Sequence, residues 1–145
     1  MIAFVTTSKL PSALTQPLLG RVGRELGRRL RIRTTRAVGV RWVSETEMRH
    51  LNRTYRKTNR PTDVLSFSAS DDTRSSKRDT HYLGDLAICV PYASREAKRR
   101  AIPVTEELVR LLVHGTLHLS GYDHATAKQE EKMFQLQERI VDHVV

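Results

Sequence analysis

The chain has one cysteine, Cys89, among 145 residues. An internal disulfide is therefore excluded, as is a zinc site made of several thiolates. A reducing cytoplasm is the expected location. Aromatic residues are scarce, at 6%, so no platform for stacking successive bases is evident. No apolar run approaches the ~20 residues of a membrane-spanning helix. The opening Met-Ile-Ala-Phe-Val-Thr-Thr has no basic segment followed by a long apolar stretch, and so does not read as a secretory signal. Acidic residues are the minority charge: 16 Asp plus Glu against 25 Lys plus Arg, a net +9. A small domain this basic is expected to meet a polyanion, nucleic acid first.

What is present suits a single domain over residues 1–145, with 39% hydrophobic residues to form one core. Ile2 to Thr6 reads as a strand. Leu14, Leu18, Val22, Leu26 and Leu30 share one apolar face, predicting a helix over Ser12 to Leu30 with Pro17 in or before its first turn. Its other side, continuing beyond it, is dense in arginine: Arg21, Arg24, Arg28, Arg29, Arg31, Arg33 and Arg36. As a cluster these form a candidate phosphate-contacting patch; singly, each reads as a solvated side chain. Arg36 to Val43 reads as a second strand. Ser44 with Glu47 predicts a capping box for a helix through Met48, Leu51 and Tyr55. Strands follow at Asp63 to Phe67 and Leu83 to Val90, with a polar loop from Ser68 to Thr80 between them. Pro91 opens a short helix, Thr105 is a candidate cap for the next, and Thr126 with Gln129 caps the last. The expected fold is α+β, a small mixed sheet of about four strands covered by helices.

Three histidines stand out: His114, His118 and His124, in His-Gly-Thr-Leu-His-Leu-Ser-Gly-Tyr-Asp-His. The four-residue step puts the first two on one helix face. Gly121 accepts left-handed geometry and lets the chain turn, swinging His124 back. Three neutral imidazoles meeting at one point make a zinc site of the catalytic type, one ion per chain, with a coordination position left open. Nickel or copper also suit such ligands. The spacing matches the peptidase motif His-Glu-x-x-His-x-x-Gly-x-x-His, except that Gly115 replaces the glutamate base.

The histidine block resembles the signature of the YbeY family of bacterial endoribonucleases. So do Leu51-Asn52-Arg53-Thr54-Tyr55-Arg56, Pro61-Thr62-Asp63-Val64-Leu65-Ser66-Phe67 and Leu83-Gly84-Asp85-Leu86, which occur in the family's order. The likeness runs from about Trp42 to His124. Ser68 departs from it, since the family often has proline there. The resemblance implies a single-strand-preferring, metal-dependent endoribonuclease, acting in rRNA maturation near the small-subunit 3′ end and in ribosome quality control. It implies ribosomal RNA and the small ribosomal subunit with its proteins as partners. It also implies zinc on His114, His118 and His124, and a functional role for Arg56.

A guanidinium at Arg56 suits the charge that develops on a phosphodiester. Asp123 is a candidate to orient a histidine, or else a turn former. Asp63 and Asp85 read as structural, bonding backbone beside the cleft. Two alternatives remain open on sequence. One is a non-catalytic ribosome- or RNA-binding module with a zinc-stabilised fold; the other, more distant, is a metallopeptidase.

Overall fold

Alternation along β2 (Arg36–Val43) and β4 (Tyr82–Cys89) divides the sheet into two unlike faces. Val38, Val40, Leu86 and Ile88 point into the main core, whereas Gly39, Arg41, Asp85 and Ala87 take the other side. The computed structural model describes residues 1–69 and 81–145. Most of the expected polar loop lies outside them, and Ser68 belongs to a strand. Within the described residues the order is β1 (Ile2–Thr6), α1 (Gln16–Arg29), β2, α2 (Glu45–Arg56), β3 (Val64–Ser68), β4, α3 (Val90–Arg99), α4 (Val104–Leu119) and α5 (Ala127–Val144). The strands lie in the order β1-β2-β4-β3. β1–β2 and β2–β4 are parallel, and β3–β4 is antiparallel. This is an α+β fold with a four-stranded mixed sheet, as expected.

Helices α1, α4 and α5 cover one face. Leu18, Val22 and Leu26 meet Leu108, Leu112 and Leu117, with Ile140 from α5. On the other face α2 shelters a smaller cluster of Val43, Met48, Leu65, Ala87 and Cys89. No helix of the described residues is long and apolar enough to cross a membrane.

Several boundaries shift for local reasons. α1 begins at Gln16 rather than Ser12, because the Thr15 side chain caps it, accepting from the Leu18 amide at 3.3 Å, and Pro17 occupies the first turn. Leu14 joined the apolar rhythm because it is buried, although it precedes the helix. Ser44 caps α2 by accepting from the Glu47 amide at 3.2 Å, while the Glu47 carboxylate pairs with Arg41. Thr105 does not cap α4. That helix starts after Pro103 without a side-chain cap, and the Thr105 hydroxyl donates instead to the Ala13 carbonyl at 2.7 Å. Thr126 and Gln129 form the full reciprocal capping box of α5.

Candidate metal centre

α4 is buried along most of its length, and His114 and His118 look out from its last two turns. The helix ends at Leu119, with Ser120 as its C-cap. Gly121 follows at φ 101°, a left-handed conformation that glycine adopts without strain. Its amide donates to the His118 carbonyl, and that of Tyr122 to the Leu117 carbonyl, both at 3.0 Å. These bonds satisfy the helix end and send the chain back on itself. His124 arrives beside the other two. Ring centroids lie 4.8 Å apart for His114–His118 and His118–His124, and 6.2 Å for His114–His124. One nitrogen from each ring lies within 4.8 Å of the others.

The chemistry of this donor set fits a divalent ion. Nδ1 of His114 lies 2.7 Å from Gln137 Oε1, and Nδ1 of His118 lies 3.0 Å from the Tyr122 carbonyl. Both oxygens only accept, so each Nδ1 carries the proton and each Nε2 is left with a free lone pair. The Gln137 amide is oriented in turn: its Nε2 donates to Glu138 at 3.1 Å, which directs Oε1 toward His114. Nitrogens on one zinc stand about 3.4 Å apart, given Zn–N distances near 2.05 Å. His124 is exposed and His114 and His118 are half-buried, so small ring rotations, chiefly of His124, cover the remaining gap. Burial holds the pKa of His118 below its ordinary value, and His114 and His124 push the same way. The neutral, metal-binding form is therefore favoured.

The histidines line a cavity of about 570 Å³ shared with Arg56, Asp63, Ser66, Glu107, Arg110 and Gln137. Arg56 is the last residue of α2, where Lys57 turns left-handed at φ 56°. Its Nη2 donates to the Ser66 carbonyl on β3 at 2.7 Å, and its guanidinium carbon stands 5.5 Å from the Phe67 ring centre. Arg110 makes two 2.9 Å bonds to Glu138 and one of 3.2 Å to Glu106. Glu107 pairs with Arg100 at 2.9 Å, yet burial raises its carboxyl pKa against that attraction.

Gln137, Glu107 and Arg110 were missed in the sequence because nothing near the histidine block marks them. A signal did exist for Gln137: it follows Met133 by four residues, on the buried stripe of α5. Asp123 does not reach a ring; its carboxylate accepts from the His124 amide at 2.7 Å, as a turn former does. Asp63 accepts from the Val64 amide at 2.7 Å beside the cavity. Asp85 is not beside it. It is exposed on the opposite face of the sheet, over a second cavity of about 870 Å³. Gly115 faces the core: a Cβ there would lie 2.5 Å from Leu86 Cδ2. A side chain at 115 would have to displace Leu86, so packing on β4 accounts for the glycine that stands where the peptidase motif has its glutamate.

The profile of a family described as Endoribonuclease YbeY matches residues 5–145. Similar proteins include the Endoribonuclease YbeY of Persephonella marina, 38% identical over 74% of this chain and 69% of that protein. Its counterpart in Shouchella clausii is 40% identical over 72% and 69%. The solution structure of TM1509 from Thermotoga maritima superposes with a TM-score of 0.64 at 30% identity, covering 99% of this chain and 89% of that one. A family match over nearly the whole length, together with these relatives, shows that the chain belongs to the YbeY family of endoribonucleases.

Proposed function

We propose that this protein is a zinc-dependent endoribonuclease that cuts single-stranded RNA. Its role is maturation of ribosomal RNA near the 3′ end of the small-subunit species, with a part in ribosome quality control. The observation that supports this reading is the meeting of His114, His118 and His124 with Arg56 around one cavity. Residues 1–145 act as one catalytic domain in the cytoplasm, with the small ribosomal subunit and its proteins as partners.

His114 and His118 hold the ion through Nε2, their other nitrogens being occupied, and His124 supplies the third ring nitrogen. A zinc ion held there supplies positive charge to a phosphoryl oxygen and acidity to water. Arg56 keeps N–H groups beyond those spent on the Tyr55 and Ser66 carbonyls and directs them to a non-bridging phosphate oxygen. The net charge of +9 draws the polyanion in.

The test is cleavage of precursor ribosomal RNA by zinc-loaded protein, with and without chelator. Arg56→Ala is expected to cut about 10²-fold more slowly while keeping its zinc. Equal cleavage by wild type, Arg56→Ala and His118→Ala would overturn the assignment.

A further inference from the structure

The connection between α1 and β2 builds a second concentration of positive charge, behind the histidine turn. Its residues alternate. Leu30 and Ile32 pack against the main core, while Arg31 and Arg33 are exposed. The backbone is pinned on both sides: Ile32 donates to the Gly27 carbonyl at 2.9 Å, and Arg36 to the Met1 carbonyl at 3.0 Å. Arg31 sits at φ 56°, which turns the chain sharply out of the helix. The guanidinium groups therefore start from a fixed frame.

They surround a cavity of about 650 Å³, bounded by Arg29, Arg31, Arg33, Arg36, Ser120 and Tyr122 among others. No carboxylate lines it among the described residues. Arg29 is committed to Glu25 at 2.8 Å. Arg31, Arg33 and Arg36 have no ion-pair or side-chain hydrogen-bond partner among the described residues, and the Arg36 Nε is buried with no acceptor. With no carboxylate among the lining residues, the guanidinium groups of Arg31, Arg33 and Arg36 remain available around the cavity, and an anionic oxygen suits a guanidinium best. Tyr122 joins this cavity to the metal centre, because its carbonyl is the one that accepts from His118.

We propose that Arg31, Arg33 and Arg36 form an anchoring site for the backbone phosphates of a single RNA strand, beside the histidine turn and distinct from the cleavage cavity. The site deepens the endoribonuclease reading and rests on RNA being the substrate. It holds the strand through charge and shape, so it confers affinity without base preference. It also narrows the arginine patch expected from sequence. Arg28 and Arg29 share the one carboxylate of Glu25, and Arg21 and Arg24 do not line the cavity.

The test measures binding of zinc-loaded full-length protein to a 2′-O-methyl RNA strand of roughly 20 nucleotides. Salt is varied, and cleavage of the unmodified strand is followed in parallel. Each phosphate contact on a single strand contributes about 0.7 to the slope of log affinity against log salt. The variant carrying Arg31→Gln, Arg33→Gln and Arg36→Gln is expected to flatten that slope by about 2. The corresponding triple lysine variant is expected to keep most of it, which separates charge from any structural role. An unchanged slope in the glutamine variant overturns the anchoring site even if the protein cleaves RNA. So does an effect seen only on duplex of equal length. Conversely, wild-type protein that binds with the arginine-dependent slope but never cleaves overturns the nuclease reading and leaves the anchor standing.

Discussion

The two ends of α4 handle charge in opposite ways. At its start, ionised groups are matched to one another: Glu107 with Arg100, and Arg110 between Glu106 and Glu138. At its end, the imidazoles of His114 and His118 are supported only by neutral acceptors, the Gln137 amide and the Tyr122 carbonyl. The first end is electrostatically closed: its charges are paired with one another, even though burial weighs against the charged form of Glu107. The second orients its groups while leaving their lone pairs unspent. One helix thus carries both a set of matched charges and a pair of oriented rings with free nitrogens, and the identity of the supporting partner decides which is which.

The strongest way to break the comparison is at the reactive end. His118→Ala should take bound zinc from about one ion per chain to near none, checked by elemental analysis, with the fold retained by circular dichroism. At the closed end, Arg110→Ala strands two carboxylates in a half-buried setting. The Arg110 side chain is 12% exposed and those of its partners 26%. The expected loss is about 2–4 kcal/mol in denaturant unfolding, with zinc affinity changed far less. Gln137→Leu sharpens the contrast, since it removes only the acceptor that orients His114. Zinc should bind about 10- to 100-fold more weakly by chelator competition, with little change in the unfolding midpoint of the metal-free protein.

The smallest effect concerns pH, at a third charged cluster. The side-chain hydrogen bond from Arg28 is the main cause holding the carboxyl pKa of Glu25 down to about 2, with Arg29 and His143 assisting. A carboxyl depressed in the folded state stabilises it above the unfolded pKa of 4.5, and that contribution is lost as pH falls toward 2. Glu25→Gln should cost about 1–2 kcal/mol at neutral pH, less than the full shift implies because Arg28 is largely exposed. The difference from wild type should vanish near pH 2.

Short-range periodicity made the meeting of the three histidines readable. His114 and His118 need only one helical turn to meet, and Gly121 announced the bend that returns His124. The sheet was readable for the same reason, through β-branched runs such as Ile2–Thr6. What stayed hidden depends on tertiary packing. Gln137 lies 23 positions beyond His114 and reaches it only because α5 packs on α4. The arginines of α1 looked alike in sequence, but a buried Glu25 on the same helix claims two of them. Thr105 carried the right side chain for a cap, yet an acceptor 92 positions earlier, the Ala13 carbonyl, draws its hydroxyl away.

Gly115 has a consequence for how this scaffold can change. The bare backbone that lets α4 ride tightly on β4 occupies the position where the peptidase motif carries its carboxylate. Installing that acid would require hollowing out Leu86 at the same time, which damages the centre of the core. Packing at this one position therefore stands against the acid, although the sequence spacing of the three histidines is that of the peptidase motif.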